Sequence, residues 1–350
     1  MQVPTATAQW IMAIASIGLV SYWLRDTLAP FMMALILWIA IAGLARAIGH
    51  VPRFLPSSVS LAIALILVLG FGSLVIYVLA RNVAAIIADA GQFQPRFEAL
   101  IHNAQTALGW TGGAWTLERL VADLGPATLL TRMGGIAQSI AGNTTLILID
   151  LLFIFPAAAT FQSKLPQMLP RPDVRNRAEV LLTAIRSSVE RYLLVQTAMS
   201  LLISSLSYAT LVLIGLDHPL FWACLIFVLN YIPTVGSIVA VALPTLFAVA
   251  QLPDWRFVGA VALGLHIWQF SIGTFVQPRI TGASLNLSAI VVVLSLTFWG
   301  TLWGLTGVFL AAPMTVLVMI VLEQFPQTHW IAVLLSSNGR PLPNGASESP

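Results

Sequence analysis

Charge is what this sequence has least of. Only 8% of its 350 residues are Asp, Glu, Lys or Arg, against roughly a quarter in a soluble domain. With 58% hydrophobic residues and a mean hydropathy of +0.91, a water-soluble globule is excluded. Cysteine is nearly absent as well. The single one, Cys224, lies inside an apolar run, which rules out a disulfide framework and a Cys-based metal site. No Gly-x-x-x-x-Gly-Lys-Ser/Thr phosphate loop occurs, so ATP hydrolysis through that motif is out. None of the five histidines precedes a glutamate, so the zinc-protease pattern His-Glu-x-x-His is missing, and there is no Gly-x-Ser-x-Gly elbow. An enzyme is not expected, and neither is a metal or a cofactor. The net charge of +3 is small and scattered and gives no reason to expect nucleic acid.

What remains is a succession of long apolar runs, the pattern of an all-α polytopic membrane protein embedded in the lipid bilayer. The length accommodates about eight membrane segments of roughly 20 residues each. Residues 1–80 supply three transmembrane helices, Trp10–Leu24, Leu28–Ala45 and Val59–Leu79, with Trp10, Trp23, Trp38 and Tyr77 near their shoulders. Charges return over residues 81–142, where apolar residues recur at helical spacing, as in Phe97, Leu100, Ile101, Ala104 and Leu108. This predicts an extramembrane segment of amphipathic helices around a Gly109–Ala114 turn. Residues 143–192 hold a fourth span, Thr144–Ala159, and a basic amphipathic loop with Lys164, Arg171, Arg175, Arg177, Arg186 and Arg191. Positive-inside counting puts that loop and the Arg46–Arg53 turn in the cytoplasm, with both termini, and residues 81–142 outside. Residues 193–323 carry the remaining segments. Residues 324–350 form a polar cytoplasmic tail, expected to be disordered from Ser336.

Two apolar segments, Leu220–Leu252 and Leu285–Leu322, are too long for one crossing. Each is interrupted near its middle. The first break is Leu229-Asn-Tyr-Ile-Pro-Thr-Val-Gly236, and the second is Phe298-Trp-Gly-Thr-Leu-Trp-Gly-Leu-Thr-Gly307. Two constructions fit: a tilted, kinked helix, or a re-entrant hairpin with its tip at the break. The hairpin is favoured because each break is central. Unwound backbone at membrane depth survives only where protein or a watery cavity covers it, which is how solute sites in secondary transporters are built. A proline follows each break after an apolar arm, at Pro244 and Pro313, so the two segments rhyme. A further interruption is expected at Gln277-Pro-Arg-Ile-Thr-Gly282.

These residues resemble the autoinducer-2 exporter (AI-2E) family of bacterial and archaeal permeases. The likeness rests on Tyr192-Leu-Leu-Val-Gln196, Gly215-Leu216, the first break with Pro244, Gln277-Pro-Arg-Ile-Thr-Gly282 with Ser284-Leu-Asn-Leu287, and Leu294 to Gly307 running on to Ala311-Ala-Pro313. It is strong over Arg191–Glu323 and looser before it. The resemblance implies an inner-membrane permease, a homo-oligomer of pentameric form, and an elevator-like motion of a hairpin-bearing domain. It implies export of a small polar solute such as autoinducer-2 in one branch and sodium–proton exchange in others. With no nucleotide motif, an ion gradient (proton or sodium) is the expected drive. A passive channel is the competing class, distinguished by conductance without counter-ion movement.

The candidate solute path starts at Asn230, which either caps the broken helix or offers its amide to the solute. Tyr231, Pro233 and Gly236 belong to the same break. Gly300, Gly304 and Gly307 belong to the second, where small residues also let helices approach closely. Gln269 and Gln277 are polar residues eight apart on one helix. Arg279 is a membrane-boundary anchor or a counter-charge near the site. Two residues are candidates for ion coupling. Asp150 is a carboxylate inside a span, which is costly and hence a functional hypothesis. His266, central in its span, is of a type that exchanges a proton near neutral pH.

Overall fold

The computed structural model describes residues 16, 18–50, 56–108, 126–281 and 286–339. Within them the chain is helical almost throughout. We number the helices α1 (Arg25–His50), α2 (Ser57–Leu108), α3 (Pro126–Met168), α4 (Pro172–Ile214), α5 (Pro219–Leu229), α6 (Val235–Gln251), α7 (Trp255–Ser271), α8 (Gln277–Thr281), α9 (Ala289–Glu323) and α10 (His329–Leu335). A π-helical turn, Ile272–Val276, joins α7 to α8. Among the described residues, six helices are long and apolar enough to cross a membrane, and α5 and α6 are shorter apolar helices. The protein is an all-α polytopic membrane protein. The first expected span, Trp10–Leu24, lies largely outside the described residues, as does the Gly109–Ala114 turn.

Local signals set the ends of these helices. Pro172 and Asp173 sit in the first turn of α4, where proline loses nothing and a carboxylate faces the positive helix end. Gly215 closes α4 in the left-handed region (φ 84°), its N–H bonded to the carbonyls of Leu211 and Val212. Asp254 caps α7, its side chain accepting from the Arg256 N–H at 2.8 Å. Charge alone ends nothing. Helix α2 runs 52 residues, roughly 78 Å, far beyond the roughly 30 Å hydrocarbon layer. No element boundary falls at residue 80 or at residue 142, since the third span continues into the amphipathic segment and that segment continues into the fourth.

The helices pack as two groups, joined by α4 and by α2, whose Phe71 ring meets Phe227 of α5 at 5.1 Å. Ala34, Ile41, Ala64, Leu151 and Ile154 form a core between α1, α2 and α3. A second core gathers Met199, Trp222, Ile226, Ala240, Ala248, Val261 and Leu265 from α4, α5, α6 and α7. A third ties α1 to α4 and α9 through Ile36, Val189, Tyr192, Trp303 and Leu310. In lipid such contacts depend on close fit more than on escape from water. Gly264 supplies one, since a Cβ there would lie 2.8 Å from Cγ2 of Thr210.

Both long segments fold back on themselves. The Trp222 and Phe247 rings meet at 5.1 Å across α5 and α6. Where the segment begins and ends, the Gln251 side chain accepts from the Asp217 N–H at 2.8 Å and donates to the Gly215 carbonyl at 3.2 Å. In α9 the reversal is at Gly304, with φ 62° and ψ −141°. The Trp299 indole N–H then donates across the two arms to Thr315 Oγ1 at 3.1 Å.

Two expectations are corrected. Gln277 to Thr281 are helical, so the interruption does not start at Gln277; the π turn lets the helix continue through Pro278. Nor does disorder begin at Ser336: residues 336–339 are ordered, and the rest of the expected tail, 340–350, lies outside the described residues. Leu287 and Ser336 form an antiparallel bridge, and Ser337 bonds Asn286 through backbone (2.8 Å) and side chain (2.7 Å). The segment is pinned because α10 brings backbone donors and acceptors beside a loop that has its own to satisfy.

Candidate functional site

The first tip is built by a strained turn. Asn230 ends α5, and the Val235 N–H reaches back to the Pro233 carbonyl at 2.6 Å. That i to i+2 bond, with Thr234 at φ 63° and ψ −60°, is a γ-turn of the rare, strained kind. Gly236 then passes so close to the end of α5 that a Cβ on it would lie 1.8 Å from the Leu229 carbonyl oxygen. No other residue fits there.

Beside this tip is a cavity of about 890 Å³, bounded by α4, the tip, α6, α7 and the π turn. It falls in the usual size range of small-molecule sites. Asn230, Pro233, His266, Gln269 and Gln277 line it, as the sequence suggested. So do Gln196, Ser237, Thr245 and Thr274. Among its lining residues none is Asp, Glu, Lys or Arg.

A chain of amides organises the polar wall. Gln277 Nε2 donates to Gln196 Oε1 at 3.2 Å. Gln196 Nε2 donates to the Asn230 backbone carbonyl at 2.6 Å, so it satisfies an acceptor that the end of α5 leaves open. Gln269 Nε2 donates to Asn230 Oδ1 at 2.9 Å. With Oδ1 fixed as the acceptor, Asn230 Nδ2 is left buried with no hydrogen-bond partner among the described residues. The side chain thus reaches across to α7 instead of capping its own helix.

The π turn sets the relation between the two glutamines. At 3.6 residues per turn, eight residues would leave them about 80° apart. A π turn absorbs about one extra residue, which brings the pair to within about 20° of alignment. Both therefore face the cavity, one at Asn230 and the other at Gln196.

The other candidates lie elsewhere. Tyr231 turns away from the cavity; its hydroxyl is 2.6 Å from Thr197 Oγ1, and its ring stacks on Phe309 of α9 at 4.9 Å. Gly300, Gly304 and Gly307 form the second tip. A Cβ on Gly307 would lie 1.8 Å from the Trp299 carbonyl oxygen, and one on Gly300 would lie 2.9 Å from Val308 Cγ2. Arg279 is exposed on α8 and outside the lining. Asp150, partly buried on α3 beside Leu151, belongs to the α1–α3 group and does not reach the cavity. His266 does line it, its ring stacked with Phe270 at 6.1 Å. Among the described residues, no group of three or more His, Cys, Asp or Glu side chains could hold a metal ion.

Of the polar lining residues that site reasoning missed, Gln196 is the one bonded to two of the predicted residues. Its signal was available: Gln196, Ser200, Ser204 and Ser207 recur at helical spacing inside an apolar span, and all four are buried. A polar stripe facing the protein interior at membrane depth marks a path by default.

The family model of the AI-2E family transporter matches residues 11–327. The chain is 30% identical to the AI-2 transport protein TqsA of Escherichia coli K12, over 89% of this chain and 90% of the relative. It is 25% identical to a transport protein of Haemophilus influenzae, over 89% and 90% of the two chains. The transport protein YhhT of Escherichia coli K12 is 26% identical, over 81% and 80%.

Proposed function

The chain belongs to the AI-2E transporter family, and on that premise we propose that it is a secondary-active permease for a small, uncharged polar solute such as autoinducer-2. The observation that carries this reading is the cavity at the first hairpin tip, with its one unsatisfied donor, Asn230 Nδ2. A buried N–H without an acceptor costs about 1–3 kcal/mol. A solute oxygen that reaches Nδ2, which takes a shift of the tip because the atom exposes no surface as the wall stands, removes that cost, whereas a purely apolar molecule leaves it standing. The lining hydroxyls add acceptors: Ser237 donates its proton to the Thr234 carbonyl and Thr245 to that of Val241, leaving their lone pairs to the solute. A lining without formal charge favours a neutral cargo, because a charged one would be desolvated with no counter-charge. The name of the Escherichia coli relative, an AI-2 transport protein, agrees with this.

In this reading export across the inner membrane is driven by a proton or sodium gradient, with both termini cytoplasmic. His266 is the coupling candidate within the lining, and Asp150 is one remote from it. The first hairpin moves with the solute in an elevator-like step, within a homo-oligomer. Reconstituted protein in liposomes tests the proposal against a panel of autoinducer-2, sodium and organic anions. Saturable, gradient-dependent flux of the neutral solute, weakened by Asn230→Ala, is the expected result. Ohmic conductance without counter-ion movement would instead make the protein a passive channel. Sodium flux that exchanges with protons and ignores Asn230→Ala would make it an antiporter using another path.

A further inference from the structure

Away from the cavity, α1 and α4 meet at a cluster of charge that transport through the first tip does not use. Arg46 of α1 is ion-paired with Glu190 of α4. Gly43, one turn earlier on α1, makes the room, since a Cβ there would lie 2.5 Å from Glu190 Cγ. A second guanidinium, that of Arg186, stands one turn before Glu190 on α4. It lies over the Trp38 ring, 5.6 Å from its centroid, and within electrostatic range of both Arg46 and Glu190. Two cations therefore share one carboxylate, and Arg46 holds it. The Arg186 Nε–H is buried with no hydrogen-bond partner among the described residues.

A guanidinium with an unmet donor beside a second cation is a poor ending for a fold and a good beginning for an anion site. The planar fork of arginine matches the oxygens of a phosphate, and charge-assisted bonds of this kind are the strong ones. We propose that Arg186, with Arg46 and the Trp38 ring, binds a phosphate group, carried by an anionic phospholipid or present as the free ion. The placement suits a headgroup. Arg46 is near the end of α1, and Arg186 precedes the apolar part of α4, so both stand where an apolar stretch gives way to polar chain. The Arg46 side chain is 44% exposed, which opens the cluster to an incoming ligand. The site is independent of the transport reading, since it shares no residue with the cavity.

The test is thermal unfolding of the full chain in neutral detergent, titrated with phosphatidylglycerol, phosphatidylcholine or inorganic phosphate. Phosphatidylglycerol should raise the melting midpoint and phosphatidylcholine should not. Arg186→Gln should weaken the response about tenfold, the loss of one charge-assisted contact. Glu190→Gln should strengthen it, because the competing carboxylate is gone. Those opposite signs separate a binding site from a damaged fold. An equal effect of inorganic phosphate would support the site and assign it to the free ion. Equal responses to the two lipids, an undiminished response in Arg186→Gln, or a weakened one in Glu190→Gln would overturn the proposal.

Discussion

At the first tip a Cβ on Gly236 would lie 1.8 Å from the Leu229 carbonyl oxygen, and at the second tip one on Gly307 would lie 1.8 Å from that of Trp299. A Cβ on either would also crowd the side chain four residues before it, Ile232 at 3.2 Å and Trp303 at 3.1 Å. Each is followed by a fully buried proline, Pro244 or Pro313. The backbone has solved one problem twice, how to reverse a helix inside a tightly packed region. What surrounds the two reversals differs. The first is ringed by amides from α4, α7 and α8, and it opens on a cavity. The second is ringed by indoles, with Trp299 and Trp303 at 5.0 Å, and its arms pack on Ile232 of the first tip through Leu296 and Ala311. A shared fold element thus borders a cavity in one place and packs against its counterpart in the other, and only the side chains tell which.

That contrast can be broken in four ways. The largest effect belongs to the feature the tips share. Gly236→Ala and Gly307→Ala should each cost about 3 kcal/mol or prevent folding, because carbonyl and Cβ cannot occupy one place. Melting midpoints in detergent should fall alike, and a silent Gly307→Ala would end the likeness. Next comes the feature they do not share. Asn230→Ala should slow solute flux roughly 10–100-fold, the equivalent of about 1.5–3 kcal/mol, whereas Thr301→Ala at the second tip should leave flux unchanged. Gly304→Ala should cost about 1–3 kcal/mol, since φ 62° with ψ −141° is a conformation close to glycine's own, although nothing lies within 4 Å. It separates conformational need from lack of room. Smallest is Tyr231→Phe, which removes the hydroxyl bond to Thr197 but keeps the stack on Phe309. A loss of about 1 kcal/mol in stability with flux nearly intact is expected. A collapse of flux would mean that this bond between the first tip and α4 belongs to the transport step.

Much of this was legible in the sequence, and the reasons are physical. Proline and glycine in the middle of apolar runs marked both reversals, because nothing else explains their presence there. Asn230, Gln269 and Gln277 stood out as polar residues in oily surroundings, and all three meet in one wall. The π turn did not stand out. It is a register change in the backbone with no residue type that signals it, and the alignment of Gln269 with Gln277 depends on it. The return of charge near residue 81 matches the end of the apolar span at Val83, but it did not reveal that the helix itself runs on to Leu108, since amphipathic sequence carries a helix on as well as apolar sequence does. Asp150 was singled out by cost alone. Its place beside Leu151, away from the cavity, comes from the packing of α3 on α1, which no local pattern reveals.

The amide of Gln251 holds both feet of the first hairpin, one bond to Asp217 and one to Gly215. A paddle fastened at its feet acts as a lever. The longer arm, α6, has 17 residues, roughly 25 Å. A tilt of about 10° at the fastening would then sweep the far end through about 4 Å, enough to part Asn230 from Gln269 without unwinding either arm.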